Sequence, residues 1–118
     1  MTKREDRCLF CRIANDEIPA KKVYDDSDVV AFEDINPQAP THILVIPRRH
    51  IASLDALTAG DHEVIGRTMV KASEIARDHQ LQNDGYRIVV NCGEGAGQTV
   101  FHVHFHLLGG RRFNWPPG

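Results

Sequence analysis

The sequence has no surplus of positive charge. Its 14 lysines and arginines against 16 acidic residues leave a formal net charge of −2. A general attraction to nucleic acid is therefore not expected, and any bound nucleotide must be met by local donors. There is no apolar run approaching the roughly 18–20 residues that cross a membrane. Met1 to Arg7 also lack the apolar centre of a secretion signal. A cytoplasmic protein without a membrane partner is the expectation. Cysteine is scarce: Cys8, Cys11 and Cys92. An odd number with one close pair argues against a disulfide framework. In a reducing compartment Cys8-x-x-Cys11 reads either as a metal half-site or as two packed thiols. Repeats, low-complexity tracts and linkers are missing too. The length suits one domain over 1–118, with a flexible 1–7 and an irregular tail over 109–118.

Local patterning predicts an α+β domain. A short helix over Leu9–Asp16 puts Phe10, Ile13 and Ala14 on one side, with Pro19 as its stop. Lys22–Tyr24 and Val29–Phe32 flank a polar turn and read as a hairpin. Asn36–Pro40 is a proline-restricted loop, and His42–Ile46 reads as a central strand. Thr58 with Asp61 approximates a capping box. The long helix it opens runs to about His79, with Ile65, Met69, Ala72 and Ala76 as its buried stripe. Tyr86–Val90 and Val100–Leu108 read as the fourth and fifth strands. Short connections between consecutive strands imply an antiparallel sheet with the helix on one face.

The chemistry concentrates in Phe101-His102-Val103-His104-Phe105-His106-Leu107-Leu108. Alternation in a strand puts His102, His104 and His106 on one face and Val103, Phe105 and Leu107 on the other, which faces a core. Same-side neighbours stand about 6.5–7 Å apart, so the three imidazoles span about 13–14 Å. Three readings are open: a histidine-rich polar face, a metal site, or nucleophilic and proton-transfer chemistry on an anion. Three ligands from one straight strand converge poorly on a tetrahedral ion. Imidazole is a good nucleophile near neutral pH because much of it is unprotonated there. Just upstream, Gly93–Gln98 is glycine-rich, and such a loop can offer backbone N–H groups to an anion.

His102-Val103-His104-Phe105-His106-Leu107-Leu108 resembles the signature of the histidine triad superfamily. Phe32-Glu33-Asp34-Ile35-Asn36-Pro37-Gln38-Ala39-Pro40-Thr41-His42, Gly97-Gln98-Thr99-Val100-Phe101 and Gly109-Gly110-Arg111 through Trp115-Pro116-Pro117-Gly118 resemble its nucleotide-binding protein branch. The resemblance covers nearly the whole chain from Cys8 onward. It implies cleavage of the P–N bond of purine nucleoside 5′-phosphoramidates, with acyl-adenylates as further substrates. Dinucleoside polyphosphate hydrolysis and nucleotide binding with incidental turnover are the alternatives. It makes His104 the nucleophile, His106 a phosphate contact, His102 the orienting member and Thr99 an aid to the leaving amine. Gly97, Gln98, Thr99, Val100 and Asn91 would lie along the phosphate and ribose. Asp34 would accept from the ribose hydroxyls, and Phe10, Ile13, Phe32 and Ile35 would wall the base. Core packing accounts equally for those four.

The resemblance also implies a homodimer with a continuous sheet, in which Trp115 reaches the partner's site. Glu33 stands where relatives can carry histidine. Cys8-x-x-Cys11 is similar to branches that bind structural zinc with two histidines, which here match His50 and His102. Two cysteines and two histidines form a closed tetrahedral set. His42, His62 and His79 are expected to be structural or surface residues, and Cys92 a packed thiol.

Overall fold

The computed structural model describes residues 5–118, so the expectation of a flexible 1–7 falls partly outside the described residues. Glu5–Arg7 form a turn whose Glu5 carbonyl accepts from the Cys8 amide at 2.9 Å. The elements are α1 (Leu9–Ala14), β1 (Lys22–Asp25), β2 (Val29–Glu33), β3 (Thr41–Pro47), α2 (His62–Asp78), β4 (Tyr86–Val89) and β5 (Phe105–Gly109). The five strands form one antiparallel sheet in the order β1-β2-β3-β5-β4. This is the expected α+β architecture.

Alternation along β2 sorts the core into two layers. Val29 and Ala31 face α2, where they cluster with Ile43, Val45, Leu107, Ala72, Ile75 and Ala76. Val30 and Phe32 face the other way, onto Phe10, Ile13, Leu44 and Ile46. Burying each large aliphatic or aromatic side chain contributes about 1.5–3 kcal/mol, so α1 and α2 each hold one face of the sheet.

α1 is shorter than expected and ends before Pro19. Asp16 takes a left-handed φ of 60°, and the Asn15 side chain donates to the Cys11 carbonyl at 2.7 Å. These are helix-terminating features in their own right. Arg48 then ties α1 to the hairpin, donating to the Ala14 carbonyl at 2.7 Å and pairing with Asp25. Lys22 adds Asp16 at 2.9 Å and Asp25 at 2.8 Å. These bonds fix where Cys8, Phe10 and Cys11 meet the sheet.

The Thr58–Asp61 capping box is present, but it caps a 3-10 turn over Ala59–Asp61, and α2 starts at His62. The buried stripe of α2 is Thr68, Ala72, Ile75 and Ala76. Met69 is 37% exposed and Ile65 only partly buried, so the helix is rotated from the expected face. Thr68 tolerates full burial because its hydroxyl donates to the Val64 carbonyl at 2.7 Å.

The fifth strand also differs. Its ladder begins at Phe105, paired with Val45, and not at Val100. The continuing register would meet Pro47, which has no N–H to offer. The His102 ring takes that position instead, 2.7 Å from the Pro47 carbonyl, and the Val103 amide donates to the Ile51 carbonyl at 2.7 Å.

Candidate active site

His104 and His106 lie on the α1 side of the sheet with ring centroids 5.0 Å apart. Phe10 stands edge-on to His104 at 5.0 Å and to Phe32 at 5.3 Å. His102, fully buried, lies deeper, its ring 6.1 Å from Phe10. Alternation is kept across the boundary of the ladder, with Val103, Phe105 and Leu107 packed into the cores on the other side.

Hydrogen-bond partners assign the tautomers. A carbonyl only accepts, so a ring nitrogen bonded to one carries the proton. His104 Nδ1 is 2.7 Å from the His102 carbonyl, which leaves Nε2 with its lone pair free. His102 Nε2 donates to the Pro47 carbonyl at 2.7 Å, which leaves Nδ1 as an acceptor. The Gln38 amide donates to His42 Nδ1 at 3.0 Å, so His42 is protonated on Nε2. That Nε2–H donates to His106 Nδ1 at 2.9 Å. His106 therefore carries its proton on Nε2, which is buried without a hydrogen-bond partner among the described residues. A bare nucleophilic nitrogen on His104 thus stands beside an uncommitted N–H donor on His106.

Burial keeps these rings neutral. It lowers the pKa of His104, despite the helping bond from the His102 carbonyl. It pushes His106 down to about 4, with the neighbouring His104 and His42 adding to the effect. His42 is lowered by burial too, against the opposing charge of Asp34. At neutral pH the His104 lone pair is therefore available.

His42 is the residue that the sequence reading missed. It is buried, its Nε2 lies 3.4 Å from Asp34 Oδ2, and it sets the tautomer of His106 across the β3–β5 pair. Its spacing of 64 residues from His106 is what hid it. The position opposite Leu108 on β3, two residues along from the Leu44–His106 pair, becomes readable only once strand register is known.

The remaining expected residues divide. Phe10, Ile13 and Phe32 are buried in one cluster with partly buried Val100. Ile35 is 100% exposed and shares no wall with them. Asp34 lies partly buried beside His42, its Oδ1 accepting from the Asn36 amide at 2.8 Å. Gln98 is 1% exposed, and its side chain is spent on protein. It accepts from the Gly93 amide at 2.8 Å and donates to the Ala52 and Val100 carbonyls at 2.8 and 3.1 Å.

The glycine-rich loop is closed on itself. The amides of Ala96, Gly97 and Gln98 bond the carbonyls of Gly93 and Glu94, so the expected anion nest has lost those donors. Gly97 sits at φ 95°, with the Asn91 side-chain nitrogen 4.0 Å from where a Cβ would be. Thr99 is exposed beside it. Trp115 is 82% exposed. Cys92 is exposed, not packed.

Cys8, Cys11, His50 and His102 converge, with ligand atoms all within 4.8 Å of one another. His102 Nδ1 is 3.4 Å from Cys8 Sγ and 3.5 Å from Cys11 Sγ, and His50 Nδ1 is 3.4 Å from Cys11 Sγ. Zn–S and Zn–N bonds of about 2.3 and 2.05 Å give a tetrahedral S–N edge of about 3.5 Å. The donor set therefore fits zinc in chemistry and in spacing, and the acceptor nitrogen of His102 faces it. A cleft of about 660 Å³ lies elsewhere, between Gln80–Arg87 and Gly110–Phe113. It contains none of these histidines, so chemistry and not volume locates the site.

This constellation defines a histidine triad protein, and the chain belongs to that family: the HIT domain matches residues 15–113. An uncharacterised HIT-like protein of Synechocystis is 49% identical, over 93% of this chain and 96% of its own. The 14 kDa zinc-binding protein of Zea mays is 46% identical, over 93% of this chain and 87% of its own. A HIT family hydrolase from Legionella pneumophila, solved as a crystal structure, is 48% identical with a TM-score of 0.93, covering 95% of this chain and all of its own.

Proposed function

We propose that the protein hydrolyses purine nucleoside 5′-phosphoramidates at the P–N bond, releasing the nucleoside monophosphate. The observation that carries this is the pairing of tautomers: His104 has a bare Nε2 and His106 an unpartnered Nε2–H. The lone pair attacks phosphorus, the P–N bond breaks with its electrons on the amine, and a nucleotidyl-imidazole forms on His104. The His106 donor holds a phosphate oxygen as charge develops, and the Thr99 hydroxyl assists protonation of the leaving amine. Water then attacks phosphorus and gives up a proton, which replaces the one taken by the amine, and His104 leaves as the neutral ring it was. Asp34 accepts from the ribose hydroxyls. The Phe10–Ile13–Phe32 cluster forms the apolar wall against which the base lies. In this reading Gln98 is a clasp for the loop, and His42 positions His106.

Zinc held by Cys8, Cys11, His50 and His102 is structural in this proposal. It supplies a cross-link from the α1 segment to the catalytic strand and takes no part in bond breaking. The maize relative's description as zinc-binding supports that reading. A homodimer extends it: β4 ends the sheet on one side, and α2 leaves Met69 and Val70 exposed. An open edge and an apolar helix face both invite a second copy.

The test is release of AMP from a fluorogenic adenosine phosphoramidate by the protein and by His104→Ala, with diadenosine polyphosphate in parallel. Turnover of the phosphoramidate that vanishes in the variant is expected. Faster cleavage of the polyphosphate moves the assignment to that substrate. Folded protein that binds AMP and turns over neither substrate overturns the enzyme reading.

A further inference from the structure

A second group of ligand atoms lies at the triad, separate from the cysteine site. Asp34, His42 and His106 each offer one ligand atom, and the three atoms fall within 4.8 Å of one another. Two separations are 3.4 Å, from Asp34 to His42, and 2.9 Å, from His42 to His106. One ion with bonds of about 2.1 Å sets neighbouring donors about 3.0 Å apart in tetragonal geometry and about 3.4 Å apart in tetrahedral geometry. The shorter spacing lies at the first edge and the longer at the second, so either geometry takes the trio after one spacing adjusts by about 0.4–0.5 Å. The donors are also held in place. Asp34 is oriented through its other oxygen by the Asn36 amide, and His42 by the Gln38 amide. Such outer contacts are what keep metal ligands aimed.

We propose that Asp34, His42 and His106 form a second, weaker site for a borderline divalent transition metal such as Ni²⁺, Cu²⁺ or Zn²⁺, whose occupation excludes the nucleotide. Two imidazoles and a carboxylate, without a thiolate, are the donor set these ions share. His106 needs no rearrangement, since Nδ1 already presents a lone pair. His42 does: its Nε2 proton must move to Nδ1, and the Gln38 amide then loses its acceptor. That cost, and the missing thiolates, put this site below the cysteine site in affinity. Exclusion of the nucleotide rests on the function proposed above, because Asp34 and His106 are the groups assigned there to ribose and phosphate. It gives the enzyme a way to be shut by excess metal without loss of its structural ion.

The full chain loaded with one equivalent of zinc is dialysed against Ni²⁺, which unlike Cu²⁺ does not oxidise thiols, with zinc retention measured in the same samples. One further equivalent of Ni²⁺ is expected, weakened by about tenfold or more in Asp34→Asn and in His42→Gln. Two variants are needed because His42 is buried, and circular dichroism checks the fold of each. No further equivalent, undiminished binding in folded Asp34→Asn, or Ni²⁺ uptake only with zinc release overturns the second site. AMP is added in a separate arm, with its own binding followed independently. Weaker Ni²⁺ binding at saturating AMP supports exclusion, and unchanged Ni²⁺ binding beside bound AMP overturns it. Failure of AMP to bind counts against the proposed function alone, since stoichiometry and variants still decide the metal site.

Discussion

Replacing Gln98 by alanine should unfasten the loop in front of the catalytic strand. The side chain is almost fully buried and makes three bonds, to Gly93, Ala52 and Val100. A typical intramolecular hydrogen bond contributes about 0.5–1.5 kcal/mol net, so three are worth about 1.5–4.5 kcal/mol. The carbonyls of Ala52 and Val100 can regain water if the loop opens. The Gly93 amide is the donor most exposed to being left without a partner. For a domain of this size a loss of about 3 kcal/mol lowers Tm by about 10–15 °C. Gln98→Glu tests the direction of the bonds. It keeps an acceptor for Gly93 but turns both donations into carboxylate–carbonyl repulsions, so it should be no better than alanine. Calorimetry gives the Tm of each variant, and phosphoramidate turnover below that Tm gives the functional consequence. A fall in kcat/KM that exceeds the unfolded fraction is expected, because Thr99 and Asn91 hang on this loop. A Tm within about 2 °C of the parent, less than one hydrogen bond's worth, would refute the clasp.

Two further outcomes follow from the same geometry. His106 and His42 are neutral in the fold, with pKa values below the ordinary histidine value of 6.5. The unfolded chain then binds more protons below pH 6.5, so their contribution to stability is complete above pH 6.5 and is lost as pH falls, for His106 through about pH 4. For His106, allowing for partial exposure, the loss is about 1–2 kcal/mol. Urea melts at pH 7.5 and 5.0 should show it, and a His106→Gln variant with an equal pH dependence would refute the assignment. Cys11→Ser should lower zinc content below one per chain by elemental analysis and lower Tm. It should also raise the sensitivity of the Glu5–Ala14 segment to proteolysis, since that segment loses its tie to His102. Full zinc retention by the variant would remove Cys11 from the ligand set.

Strand alternation was enough to place His102, His104 and His106 on one face, because the side-chain period of a strand is a local property of the backbone. The Thr58–Asp61 capping box and the Cys8-x-x-Cys11 pair were legible for the same reason: their partners are three residues apart. Composition and strand spacing also implied the α+β architecture. Register, burial and loop closure were not local. His42 meets His106 only because β3 runs antiparallel to β5 in one particular register. The ladder of β5 starts late because Pro47, 55 residues before His102 in sequence, cannot donate. The stripe on α2 rotated to whichever side chains fitted Ile43, Val45 and Leu107, a choice that helical periodicity leaves open by one residue. Gln98 looked available to a ligand until its three partners, up to 46 residues away, had consumed it. Residue types and short spacings settled which chemistry the chain carries. Long-range packing, which sets which polar atoms are satisfied and which are left over, decided where a proton sits on each ring and which donor remains free to act.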